Sequence, residues 1–171
     1  MSVPRHALLV LAAGASRRLG APKQLLQFEG ESLVRRTVRA GLATAPAQAL
    51  LVLGAASEAV SAEVADLPVT KVHCRDWEAG LGASLAAGLR ALDDGIEGAL
   101  VLLCDQPGLD VAHLHALVAA WRADPDRAAA SAYAGLLGVP ALLPRAWFAE
   151  LATSHDDRGA RDLLRQRAAQ V

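Results

Sequence analysis

Residues 6–23 read His-Ala-Leu-Leu-Val-Leu-Ala-Ala-Gly-Ala-Ser-Arg-Arg-Leu-Gly-Ala-Pro-Lys, and the fold is decided in that stretch. His6–Ala12 is a dense apolar run, and a run without polar alternation suits a strand buried on both faces of a parallel sheet. A loop of small residues follows. Small side chains let the backbone approach a ligand closely with its N–H groups turned inward. Arg18 offers a fork and Lys23 a point charge, a pair that suits a triphosphate. On composition alone, an ordinary strand-to-helix turn with solvated charges reads equally well. The loop holds neither G-x-G-x-x-G nor G-x-x-x-x-G-K-[ST], which excludes the dinucleotide fingerprint and the P-loop.

Outward from this stretch the pattern repeats. Ala49–Gly54, Val69–Cys74 and Ala99–Cys104 are further short apolar runs, with longer helical spacings between them. Leu33, Val34, Val38 and Leu42 share one helical face, and Arg35, Arg36 and Arg39 lie elsewhere around the turn. Val60, Val64 and Leu67 repeat the spacing after Ser57, read as an N-cap; Leu85, Leu89 and Leu92 repeat it again. Asp110 caps a fourth helix that carries Leu114, Leu117, Val118 and Trp121 inward and stops at Asp124-Pro125-Asp126. Ala129–Ala134 and Val139–Leu143 read as strands, Pro144 as the first residue of a helix, and a last helix starts near Asp157. The alternation predicts an α/β fold, a doubly wound and mostly parallel sheet in which ligands sit at the carboxyl ends of strands. One domain is expected over 1–171, with 1–110 as its first half and 111–171 as a second, short half.

Composition narrows the function. The 171 residues are 53% hydrophobic but only 4% aromatic, with 38 alanines and 29 leucines, so the core is aliphatic. A net charge of −1 argues against a broad nucleic-acid surface, which needs a basic excess. The longest apolar runs are about seven residues, against roughly 20 for a membrane span. Arginines and glycines break the first run where a signal peptide would need its cleavage site, so a cytoplasmic protein is expected. Two cysteines make no disulfide framework. Cys104 reads as a small buried residue, and the histidines have no zinc spacing.

Two more loops fall at strand ends. Trp77 to Leu89 runs Trp-Glu-Ala-Gly-Leu-Gly-Ala-Ser-Leu-Ala-Ala-Gly-Leu, small residues entering a helix. This is a start that suits an anion or a base edge, or else tight packing of helix on sheet. Leu103-Cys104-Asp105-Gln106-Pro107 turns an aspartate out at a strand's carboxyl end, as a Mg²⁺ ligand or as a cap of the turn.

L-A-A-G-x-S-x-R-x-G-x-x-K over Leu11 to Lys23, with Leu25 and Leu26 after it, resembles the signature of the molybdenum cofactor nucleotidyltransferases, the MobA-like NTP transferase family. Leu19 stands where methionine is common. The resemblance implies a Rossmann-like nucleotidyltransferase fold and an NTP on Leu11, Ala12, Ala13 and Gly14, with Arg18 and Lys23 on its phosphates. Relatives using GTP usually read L-A-G-G and those using CTP L-A-A-G; Ala12-Ala13-Gly14 is similar to the second, MocA-like group, and the Ala13 methyl narrows the base pocket. The Trp, Gly, Ser-Leu, Gly-Leu order resembles the cytidylyltransferases and assigns Gly80, Gly82 and Ser84 to base or sugar. D-Q-P resembles the family's metal element, which makes Asp105 a ligand of Mg²⁺, with Mn²⁺ as a substitute. The segment to Gly138-Val139-Pro140 resembles a G-x-P element that shapes the acceptor pocket.

Asp156-Asp157-Arg158-Gly159-Ala160-Arg161 is similar to G-D-x-G-A-R, although Asp156 replaces its first glycine. Asp157 is then either a second metal ligand or a helix cap, and Arg161 either binds the acceptor phosphate or pairs with a nearby acid. The D-x-D-T-P-E-D-like tail of relatives is absent. The implied reaction moves CMP from CTP to the phosphate of molybdopterin and releases pyrophosphate. Its product passes to a recipient molybdoenzyme or its chaperone. The rival readings are a transferase using GTP, methylerythritol phosphate or a sugar phosphate, and a non-catalytic chaperone that binds nucleotide or cofactor.

Overall fold

The computed structural model describes residues 2–153 and 160–171. Its framework is a six-stranded sheet. The strands are β1 (His6–Ala12), β4 (Gln48–Leu53), β5 (Thr70–His73), β6 (Gly98–Leu103), β7 (Ala129–Tyr133) and β8 (Leu136–Pro144). A separate two-stranded hairpin pairs β2 (Gln27–Phe28) with β3 (Glu31–Ser32). The helices are α1 (Leu33–Leu42), α2 (Ser57–Glu63), α3 (Leu81–Arg90), α4 (Val111–Ala123), α5 (Phe148–Ala152) and α6 (Ala160–Gln166). The order across the sheet is β5-β4-β1-β6-β8-β7, parallel from β5 to β6, with β8 antiparallel to both neighbours.

Both faces of β1 are covered, which is why its sequence shows no alternation. Leu8, Val10 and Ala12 join a cluster with Val34 of α1, Val60 of α2 and Leu114, Leu117, Val118 and Trp121 of α4. Leu9 and Leu11 face the opposite cluster, with Leu85 and Leu89 of α3, Leu151 of α5 and Leu163 and Leu164 of α6. The alternating halves of β4 and β6 are shared between the same two clusters. The sheet is therefore doubly wound, and aliphatic side chains fill it nearly throughout.

Local chemistry sets the helix ends. Ser32 Oγ accepts from Arg35 N to start α1, and Asp110 accepts from Ala112 N to start α4. Three expectations need correction. Ser57 is the first residue of α2, and the cap position is Ala56, whose side chain offers no acceptor. That helix stops at Glu63, yet Val64 stays buried because the turn after it still packs on the sheet. Pro144 ends β8 in extended conformation; a short 3-10 turn, Arg145–Trp147, comes before α5. Pro144 stands at the last paired position of β8, where a missing N–H interrupts no ladder beyond it. Asp157, where the last helix was expected to begin, lies outside the described residues.

Candidate functional site

The strand order reverses at β1, since β4 lies on one side and β6 on the other. The chain segments leaving β1 and β6 part here, at the carboxyl ends of parallel strands. Two cavities open at that place. The smaller, about 380 Å³, lies between the first loop and the start of α3 and is lined by Ala13, Gly14, Lys23, Gln24, Trp77, Gly80 and Ser84. The larger, about 1000 Å³, reaches toward the β7–β8 hairpin and α6, past Leu85, Val101, Gln106, Tyr133, Leu137, Gly138 and Arg165. Leu11, Leu81, Leu103, Asp105 and Arg161 line both.

The first loop closes on itself before it reaches Lys23. Ser16 adopts a positive φ of 51° and its carbonyl accepts from Leu19 N at 3.0 Å. Its hydroxyl accepts from Lys23 N at 3.0 Å. The Lys23 ammonium then stands 3.2 Å from Asp105 Oδ2, with both side chains partly open to solvent. A cation of the smaller cavity and a carboxylate that lines both cavities are thus held together, where a charged ligand would exchange with them. Arg18 stands apart: it is exposed on the turn and lines neither cavity.

The other expected nucleotide residues divide in the same way. Gly80 caps α3 at φ 117°, a backbone region that favours glycine, and leaves the first N–H groups of the helix without a side-chain cap. Ser84 is buried one turn later and faces the smaller cavity. Gly82 is buried but lines neither cavity. Ala12 packs its methyl on the far face of the sheet, so only its main chain faces the loop. On the other side Gly138 lines the larger cavity. Pro140 is buried behind it, and its carbonyl accepts from Ser131 Oγ at 2.7 Å.

Sequence reasoning missed three contributors. Gly54 directly follows β4, where a Cβ would lie 2.5 Å from the Ala13 carbonyl and 2.8 Å from Trp77, so only glycine lets these two walls meet. Its neighbour Ala55 donates to that same Ala13 carbonyl at 3.1 Å. Gln106 Nε2 donates to the Val139 carbonyl at 2.9 Å and ties the loop after β6 to β8. Gln24 is 2% exposed, and its Nε2 donates to the carbonyls of Ala12 and Gly14. A glycine closing an apolar run was the one visible signal among these.

Rival nucleophiles fail on the same geometry. Burial, and then the neighbouring Asp105, push the Cys104 thiol up to about 12, so it is not a thiolate near neutral pH. His113 Nε2 lies 2.8 Å from Ser131 Oγ, but that hydroxyl already donates to the Pro140 carbonyl, which leaves it no proton for the histidine to take. Among the described residues no three His, Cys, Asp or Glu side chains gather to hold a metal unaided. Among them, too, no helix is long and apolar enough to cross a membrane.

Known proteins match this arrangement along almost its whole length. The chain is 36% identical over 168 residues to nicotine blue oxidoreductase of Paenarthrobacter nicotinovorans, covering 93% of this chain and 81% of that protein. It is 34% identical over 163 residues to purine catabolism protein PucB of Bacillus subtilis, covering 91% and 78%. Among solved structures, Rv0371c of Mycobacterium tuberculosis H37Rv superposes with a TM-score of 0.83 at 30% identity, covering 96% of this chain and 84% of that one. A manganese complex of the same protein superposes at 0.81. Residues 8–171 match the MobA-like NTP transferase domain. The chain is a nucleotidyltransferase and belongs to that family.

Proposed function

We propose that the chain transfers CMP from CTP to the phosphate of a molybdopterin-type acceptor and releases pyrophosphate. One observation carries the reading: two adjoining cavities of different size share Asp105 and Arg161 along their border. A phosphorus atom at that border faces a nucleophile arriving from the other side, as a two-substrate transfer requires. In this reading 1–110 supplies the nucleotide half and 111–171 the acceptor half.

The triphosphate lies along the main chain of Leu11 to Gly14, with the base toward Gly80 and Ser84 and with Gly82 packing the helix beneath them. The Ala13 methyl takes space that a purine would need. The acceptor fills the larger cavity, with Gly138 leaving room, Pro140 shaping the wall and Arg161 on its phosphate. That phosphate is already anionic near neutral pH, so no general base is needed. Its oxygen bonds to the α-phosphorus as the bond to the bridging β-oxygen breaks in line. Lys23 stabilises the leaving pyrophosphate, and Arg18 reaches it from the exposed turn.

A partly exposed carboxylate that belongs to no three-ligand cluster among the described residues suits a divalent ion that arrives with phosphates and keeps its water, not one caged by protein. Asp105 would hold Mg²⁺, or Mn²⁺ as the manganese complex of the mycobacterial neighbour suggests, with Asp157 as a second carboxylate. The bound ion supplies neutralising charge at the α-phosphate. The dinucleotide product would pass, in the cytoplasm, to a recipient molybdoenzyme or its chaperone.

The test is pyrophosphate release from CTP or GTP with Mg²⁺ and molybdopterin, methylerythritol phosphate or a sugar phosphate. Lys23→Ala should slow release roughly 100-fold or more, and Asp105→Ala should remove metal dependence together with activity. Unchanged release in both variants sinks the assignment. Thermal stabilisation by GTP and not CTP overturns the base argument. Nucleotide binding without turnover supports the chaperone reading. Reduction or oxidation of nicotine blue without pyrophosphate release would favour the chemistry in the name of the Paenarthrobacter relative.

A further inference from the structure

Gln24 sits in the short 3-10 turn Lys23–Leu25 and lines the smaller cavity, yet it is almost fully buried. Its Nε2 donates to the Ala12 carbonyl at 3.0 Å and to the Gly14 carbonyl at 2.9 Å. Both amide protons are thereby used, and the orientation of the amide follows, because a flipped amide would set its oxygen against two carbonyl oxygens. The Oε1 atom is buried with no hydrogen-bond partner among the described residues. The fold tolerates an unsatisfied oxygen in order to keep both donors on the loop, and no hydrocarbon side chain could replace them.

The Ala13 carbonyl between these two is held from the other side by Ala55 N. Three consecutive carbonyls, Ala12, Ala13 and Gly14, are therefore bound by internal donors. In a trans peptide the C=O and the next N–H point in opposite directions. Drawing the Gly14 carbonyl toward Gln24 turns the Ala15 N–H away from it. Gln24 also follows Lys23 directly, so anchoring its side chain fixes the main chain from which the ammonium reaches Asp105.

We propose that Gln24 is a positioning residue of the phosphate loop: it ties the negative ends of the loop's peptide dipoles down and away from the triphosphate while it orients Lys23. The inference rests on the nucleotide reading of the smaller cavity.

The experiment compares wild type, Gln24→Met and Gln24→Glu by calorimetric binding of CTP with Mg²⁺ at pH 8 and pH 5.5, after thermal melts confirm that each is folded. Methionine keeps the bulk and offers no donor, and it should weaken binding roughly tenfold or more at both pH values. A carboxylate at this position repels the two carbonyls, but its protonated form donates one hydrogen bond. Burial raises its pKa above the ordinary range. Gln24→Glu should therefore bind more weakly than Gln24→Met at pH 8 and regain affinity at pH 5.5, relative to wild type at each pH. A purely volumetric role would give no such recovery. Because the recovery is read within one folded variant, a loss of stability in the other leaves it decisive. Equal affinity of both variants and wild type overturns this proposal and leaves the nucleotide reading standing. A wild type that binds neither CTP nor GTP overturns both.

Discussion

Acid should destabilise this protein through His6. The ring is 1% exposed, stands edge-on to Trp121, and lies 3.0 Å through Nε2 from Thr44 Oγ1. That hydroxyl donates to the Gly41 carbonyl at 2.7 Å, so it accepts from His6, and the imidazole is neutral with its proton on Nε2. Burial first, then the charges of Arg122 and His115, lower the His6 pKa from 6.5 to about 4. Because the folded value lies below the unfolded one, the unfolded chain binds the proton more readily. The contribution is complete above pH 6.5 and is lost as pH falls from there toward 4. Linkage gives a loss of about 2 kcal/mol by pH 5 and about 3 kcal/mol by pH 4, a large part of a typical folding free energy. Urea unfolding followed at pH 7, 5 and 4 measures the slope, and the His6→Gln variant should show less of it. A His6 ring that titrates near 6.5 by NMR, or an equal slope in the variant, refutes the reasoning.

Other substitutions test the packing around the sheet. At Gly98 an added Cβ would lie 2.5 Å from Trp121 Cζ2 and 2.7 Å from Leu142 Cδ2, so Gly98→Ala should cost about 1–3 kcal/mol and lower the melting temperature by several degrees. Asp110→Ala removes the acceptor that holds Ala112 N at 3.0 Å and should cost about 1 kcal/mol in urea unfolding. With its thiol raised to about 12 and buried, Cys104 should resist iodoacetamide at pH 8 in the folded protein and react once the chain is unfolded in urea; rapid native alkylation at Cys104 would contradict its placement.

The strands and helices of the first half were legible because each obeys a period that burial enforces. A strand covered on both faces is apolar along almost its whole length, as β1 and β4 are beyond their first residues, His6 and Gln48, and as β6 is throughout. A helix packed on one side repeats its apolar residues, as Leu114, Leu117, Val118 and Trp121 do. The small hairpin of β2 and β3 left no such trace. Its turn is Glu29-Gly30, with Glu29 at φ 51°, and its strands are two residues each, too short for a period. Around the site, Ala13, Gly14, Gly80 and Ser84 of the two small-residue loops line the smaller cavity. Gln24, Gln106 and Gly54 stayed hidden because their partners are main-chain carbonyls or a distant tryptophan, and the sequence carries no mark of a carbonyl's direction. Arg18 looked equivalent to Lys23 in the motif, yet it is exposed on the Ser16 turn and lines neither cavity, whereas Lys23 lines the smaller one.

The reversed direction of β8 reaches beyond topology. Since it runs against β6, the turn at Ala134 and Gly135 emerges at the same end of the sheet as the loops after β1 and β6. The wall of the larger cavity is consequently the free tip of a ribbon, carrying Tyr133 and Leu136 into solvent, while its base stays paired from Val101–Ala141 to Gly98–Pro144. A tip of that kind lengthens or shortens without disturbing a ladder bond below it. Under the two-substrate proposal, a change of length at the tip would alter what the larger cavity admits, and grafting the tip of a relative onto this chain would test it.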